Sequence, residues 1–253
     1  MGLPCGETLV AISKPNLKES RMSAETVTLK TPDGAFSAHL VAPATTPAAA
    51  IVVIQEIFGV NAFVLETCER LAANGYLAIA PDLFWRIEPG IDLTDQTDAD
   101  WKRAFELYNA FDVDAGVRDI AATIDWVRAQ TTCDGKVGAI GFCLGGLLAY
   151  LTATRTDSNA SVAYYGVGID KFVPEADKLA EPLLLHIAEE DEFVPKDAQA
   201  RIQESLKNHP RIEIHTYPGR DHAFARTGGA HYDAADAALA EGRTLAFFKK
   251  ALG

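Results

Sequence analysis

This chain of 253 residues predicts an α/β fold: a mainly parallel sheet, opened by an antiparallel hairpin and covered by helices on both faces. Three observations carry the prediction. From Ala49 onward, short aliphatic runs alternate with longer segments of helical period, the order that produces parallel sheets. Those runs are apolar at nearly every position, as strands buried on both faces must be. One of them, Lys136 to Ile140, turns into Gly141-Phe142-Cys143-Leu144-Gly145-Gly146, with a single reactive side chain at the corner. A sharp strand-to-helix turn of this kind is a nucleophile elbow, here with cysteine where serine is usual.

Thr26 to Lys30 and Phe36 to Ala42 alternate in polarity around Pro32-Asp33-Gly34, which reads as a hairpin. Ala49 to Ile54 is a buried strand, and a helix near Ala62 to Asn74 follows, stopped by Gly75. Tyr76 to Ala80 is the next strand, residues 87–97 are polar and turn-rich, and Asp98 to Ala110 is helical. Val113, Val117, Ile120, Ile124 and Val127 mark one face of a helix from Asp112 to Gln130. After the elbow and its helix, Leu144 to Thr154, come strands at Ala160 to Tyr164 and Leu183 to Ala188. A helix from Asp197 to Asn208, a strand from Arg211 to Tyr217 and a helix from Asp233 to Ala251 complete the chain. Residues 1–22 have no clear period and are expected to be a poorly ordered N-terminal extension, leaving 23–253 as a single domain.

At 48% hydrophobic and 23% charged, the chain can bury a sizeable core. Its net charge of −12 argues against a nucleic-acid surface, and no apolar run is long enough to span a bilayer. The start lacks the basic and apolar regions of a secretory signal, so a reduced cytoplasm is expected. Cys5, Cys68, Cys133 and Cys143 lack metal-binding spacing, and no metal or cofactor is expected. Cys68 falls in a helix and Cys133 in a loop, and neither suggests chemistry.

A cysteine nucleophile reacts as thiolate and needs a base close by. Of the six histidines, His39, His186 and His215 lie in strands, His209 ends a helix, and His231 opens the last one. His222 follows the last strand and its turn, on a carboxyl-end loop where sites of parallel sheets form. The acid must come from Glu189, Glu190, Asp191 or Glu192, a run that could equally be a solvated loop face. Asp191 is preferred because Asp191-Glu192-Phe193-Val194-Pro195 resembles the acid loop of α/β-hydrolases, where the aspartate sits just before an apolar-Pro turn. Cys143, Asp191 and His222 then stand in the order nucleophile, acid, histidine of the α/β-hydrolase fold. The competing reading of Cys143 is a buried structural thiol beside a packing glycine run.

These segments, with Gln55 to Asn61, Pro81-Asp82-Leu83, Tyr164 to Gly168 and His222 to Thr227, resemble the dienelactone hydrolases, or carboxymethylenebutenolide hydrolases. The likeness runs from residue 25 to the C-terminus. It implies that Glu56, otherwise a loop-end acid facing water, contacts the thiol and helps deprotonate it when substrate arrives. It implies an oxyanion hole from the N–H groups of Ile57 and Leu144, and a substrate carboxylate held by Arg226, whose planar fork suits that task. Trp101 stands where the family has a second arginine; Lys102 and Arg103 are adjacent, but each residue of offset rotates a helix by ~100°. Ala223 replaces a serine, and Phe105, Tyr108 and Tyr165 match pocket aromatics. Arg86 is a further cation, more in keeping with a surface.

The resemblance therefore implies opening of a dienelactone to maleylacetate through an acyl-enzyme on Cys143, in chloroaromatic catabolism. The expected partner is a small anionic lactone or ester, and the expected state is a monomer. Trp101 and Ala223 motivate a second reading, a broader carboxylester or thioester hydrolase. A third, from another class, is a ligand-binding or redox-sensing protein that uses a reactive cysteine without catalysis.

Overall fold

β1 (Ser23–Thr31) and β2 (Gly34–Ala42) pair antiparallel in unbroken register from Ser23 opposite Ala42 to Thr31 opposite Gly34. A computed structural model describes residues 22–253, so the expected N-terminal extension, save Met22, lies outside the described residues. β2 joins the larger sheet through β4 (Leu77–Pro81), again antiparallel. Beyond it run β3 (Ala48–Ile54), β5 (Cys133–Phe142), β6 (Ala160–Tyr164), β7 (Leu183–Ala188) and β8 (Ile212–Tyr217), all parallel. The sheet order is β1-β2-β4-β3-β5-β6-β7-β8.

Burial follows the sequence pattern. Every residue of β4, β6 and β7 is buried, whereas β8, at an edge, is only partly covered. The helices are α1 (Ala62–Ala73), α2 (Asp98–Ala110), α3 (Val113–Arg128), α4 (Leu144–Arg155), α5 (Lys196–Leu206) and α6 (Ala234–Leu252). Asn61, Thr97, Asp112 and Asp233 cap four of them by accepting a first-turn N–H on a side-chain oxygen, a contact worth about 1 kcal/mol. α4 has no side-chain cap, which leaves its first amides available to something else.

Three details differ from expectation. Cys133 begins β5 instead of lying in a loop, because the strand extends three residues further back along β3. Asp233 caps α6, so His231 precedes that helix by two residues. Two short 3-10 helices, Ile169–Lys171 and Val173–Lys178, fill the connection from β6 to β7. None of the described helices is long and apolar enough to cross a membrane.

Candidate active site

The corner between β5 and α4 is made by Cys143, whose φ of 57° and ψ of −116° force it out of the ordinary regions for an L-residue. Among the described residues only Cys143, Tyr165 and Ala223 are non-glycine with left-handed φ; the first two directly follow β5 and β6, and Ala223 lies in the loop after β8. Each such residue costs on the order of 1–3 kcal/mol, which persists where the surroundings over-determine the backbone. The elbow glycines show why those surroundings are tight. A Cβ on Gly141 would lie 1.9 Å from the Gly145 carbonyl oxygen; on Gly145, 2.4 Å from that of Ile54; on Gly146, 2.4 Å from that of Tyr164. Cys143 N–H donates to the Tyr164 carbonyl at 3.1 Å, and its own carbonyl accepts from Gly146, Leu147 and Val167. The thiol is thus aimed by backbone on all sides.

His222 follows β8, and its Nδ1 donates to Asp191 Oδ2 at 2.7 Å. Asp191, just past β7, accepts on its other oxygen from the N–H groups of Phe193 (2.9 Å) and Val194 (3.2 Å), which fixes the carboxylate plane. The His222 carbonyl accepts from His231 Nδ1 at 3.2 Å. Both His222 and Asp191 are buried. His222 Nε2 has no hydrogen-bond partner of its own and shares a cavity with Cys143. Burial disfavours charge on the ring, but the Cys143 charge and the Asp191 bond outweigh it, and the imidazole is pushed up to about 10. Such a ring is a strong base for a thiol proton.

The cavity over Cys143 is narrow, about 60 Å³, and its walls are Ile57, Phe58, Trp101, Phe105, Tyr108, Val167 and Phe193 with His222 and Arg226. Phe193 packs edge-on against His222, and Phe105, which stays exposed, stands next to Phe193 at the mouth. Leu144 opens α4, so its N–H has no intrahelical acceptor, and Ile57 lies across the cavity wall. Two such amides can stabilise an oxyanion.

Arg226 supplies the cation. Its Nη1 donates to Glu56 Oε2 at 2.9 Å and its Nη2 to Asp95 Oδ2 at 2.7 Å, while the guanidinium lies 5.1 Å over the Phe58 ring. Burial opposes its charge, but the two carboxylates more than compensate and raise its pKa. Glu56 Oε1 is buried and unpaired. Glu56 is therefore not water-facing: it is 1% exposed and committed to Arg226. Its neighbours Ile54 and Gln55 present the carbonyls against which Gly145 packs, so its loop abuts the elbow.

Trp101 lines the cavity, packs edge-on against Phe58, stacks on Phe105, and donates its indole N–H to the Asp95 carbonyl at 3.0 Å. Phe105 and Tyr108 lie on the same helix and the same wall. Two expected pocket residues do not line the cavity. Tyr165 is fully packed, edge-on to His222 and Phe224, with its hydroxyl unpaired; burial and Glu56 raise its pKa well above the usual value. Ala223 is buried, with a left-handed backbone, and does not line the cavity. Arg86 pairs with Asp119 and Asp33 over Trp85, far from this role, and Arg103 pairs with Glu88 and Glu106 on the surface. His186 donates and accepts with Tyr217 and Thr244 in the core, where burial holds it neutral. Phe58, Val167, Phe193 and Asp95 were not foreseen. The first three sit within two residues of a foreseen residue or motif, but Asp95, in a polar loop, carried no signal.

The strand order and the corner at Cys143 make this an α/β-hydrolase. Residues 36–252 match the model of the dienelactone hydrolase family, and the chain belongs to that family and to the carboxylic ester hydrolases. It is 47% identical over 232 residues to the "Putative carboxymethylenebutenolidase" of Azospirillum brasilense, covering 87% of this chain and 96% of that protein. The "Carboxymethylenebutenolidase" of Pseudomonas putida is 41% identical over 227 residues, 89% of this chain and 96% of its own length. A solved structure from Klebsiella pneumoniae subsp. pneumoniae MGH 78578 is similar with a TM-score of 0.78 at 27% identity, over 90% of this chain and 99% of that one.

Proposed function

We propose that this hydrolase opens a carboxylated enol lactone, of the dienelactone type, through an acyl-enzyme on Cys143. The observation that carries the reading is the meeting, in one small apolar cavity, of Cys143 and the His222–Asp191 pair with the buried cation of Arg226. His222 Nε2 takes the thiol proton, and the thiolate adds to the lactone carbonyl. The resulting oxyanion is held by the N–H groups of Ile57 and Leu144, each worth about 3 kcal/mol in comparable sites. Collapse breaks the ring C–O bond, the enol oxygen takes the proton back from His222, and a thioester remains. Water, giving a proton to His222, then attacks the thioester; the thiol leaves with that proton and the free diacid departs, its enol becoming the ketone of maleylacetate.

Glu56 has a conditional part in this scheme. While Arg226 is free of substrate it is paired with Glu56. A substrate carboxylate draws on the same guanidinium and loosens that pair, which frees Glu56, beside the elbow, to assist His222 in drawing off the thiol proton. Disappearance of the cis or trans dienelactone, followed directly by absorbance, is the test. Turnover of either isomer supports the assignment, and no turnover at millimolar concentration rejects it.

A second reading, a broader carboxylester or thioester hydrolase, is supported by the cavity walls. Apart from Arg226 and the reacting groups they are aromatic or aliphatic, and Trp101 adds an apolar face. Comparison of carboxylated with neutral esters of one acyl group separates the two readings.

A further inference from the structure

Arg226 is the one arginine or lysine among the residues lining the cavity, and it is held by two carboxylates. The ionic cluster of Glu56, Asp95 and Arg226 thus contains two acids and one base. Asp95 is built into place: Oδ2 accepts from Arg226 Nη2 (2.7 Å) and from the Ala230 N–H (3.3 Å), and Oδ1 accepts from Gln96 Nε2 (2.6 Å). Its carbonyl is pinned by the Trp101 indole. Burial opposes its ionisation, but Arg226 and Gln96 outweigh that and keep it below its usual range. The guanidinium offers two edges for bidentate carboxylate binding, Nε with Nη2 and Nη1 with Nη2. Both edges include Nη2. A substrate carboxylate must therefore share that nitrogen with Asp95 or displace it.

We propose that Asp95 is a specificity-determining residue that competes with the substrate carboxylate for Arg226, so that this hydrolase takes neutral lactones and esters nearly as readily as carboxylated ones. Acting through Arg226, it sets substrate affinity and leaves the reaction at Cys143 alone. Trp101 contributes twice, by holding the Asp95 loop and by covering with an apolar face the wall where a second cation would have strengthened anion binding. The proposal rests on the hydrolase reading above.

The test uses 4-nitrophenyl hydrogen glutarate and its methyl ester, an anion and a neutral analogue with the same scissile bond. In the wild-type protein the anion-to-neutral ratio of kcat/KM is expected below about ten, and a larger ratio overturns the proposal. In Asp95→Asn, which keeps the shape and one acceptor, the ratio is expected to rise about tenfold, through a lower KM for the anion and not through kcat. An unchanged ratio, or a fall that marks Asp95 as an orienter of Arg226, overturns it. If neither ester is hydrolysed by the wild type, the hydrolase reading fails; if both are and the ratio stays put, only the role of Asp95 fails. A wild-type ratio above about ten overturns the proposal even if Asp95→Asn does not fold, and Asp95→Ser then takes its place.

Discussion

The two sides of the cavity are built differently. On one, Cys143, Asp191 and His222 hang from the carboxyl ends of β5, β7 and β8, and each is aimed by backbone hydrogen bonds or a strained turn. On the other, Arg226, Asp95 and Trp101 sit on loops and on α2 and are held by one another's side chains. The sheet's backbone therefore fixes the first side, while the second depends on a few exchangeable contacts. Substrate range can change on the second side without disturbing the first.

Substitutions on the reacting side should be the most damaging. His222→Ala is expected to lower kcat/KM on the order of 10⁴- to 10⁵-fold for anionic and neutral esters alike; unequal loss would break the separation of the two sides. Asp191→Asn should cost about 10³- to 10⁴-fold, since the imidazole loses its orienting acceptor. It also removes one of the causes that raise His222, so a sign follows. A histidine raised to about 10 contributes stability that is fully present below about pH 6.5 and lost as pH rises through about 10. Urea titrations should therefore show Asp191→Asn destabilised by about 2 kcal/mol near pH 6, with the gap closing above pH 10; a gap that widens with pH would contradict the assignment.

The elbow supplies a test of stability. Gly145→Ala drives a methyl into the Ile54 and Gln55 carbonyls and is expected to cost about 3 kcal/mol or prevent folding. Gly242→Ala, on the exposed face of α6 with nothing within 4 Å of the new Cβ, should instead gain up to about 1 kcal/mol. Comparable melting temperatures for the two variants would mean that the corner is not tight. The smallest effect belongs to the recognition side: Trp101→Phe keeps the stack on Phe105 but frees the Asp95 carbonyl. It should alter KM by about threefold with kcat unchanged, given one exposed-edge hydrogen bond of about 0.5–1 kcal/mol.

That same division explains how much the sequence disclosed. Strand and helix periods revealed the parallel sheet and its opening hairpin, because β4, β6 and β7 are apolar throughout, but the order of the strands was not legible. Cys143, Asp191 and His222 were legible because a parallel sheet gathers its carboxyl-end loops, so chain order alone brings them together. Glu56 was visible as a residue but not as the partner of Arg226, a contact spanning 170 positions. Asp95 was hidden altogether. A single aspartate in a polar loop looks like any solvated residue until the fold presses it against a buried guanidinium. Tyr165 and Ala223, expected in the pocket, are buried and do not line the cavity, a packing outcome that spacing along the chain does not encode.

The measurement that bears most directly on Cys143 as nucleophile is mass spectrometry of the enzyme acid-quenched during lactone turnover, paired with the rate of Cys143→Ala. Ring opening loses no leaving group, so an acyl-enzyme carries the full mass of the substrate. The account expects that increment on the peptide containing Cys143 and a loss on the order of 10⁵-fold in the variant. The same increment on another residue, or a Cys143→Ala rate within tenfold of wild type, would contradict it.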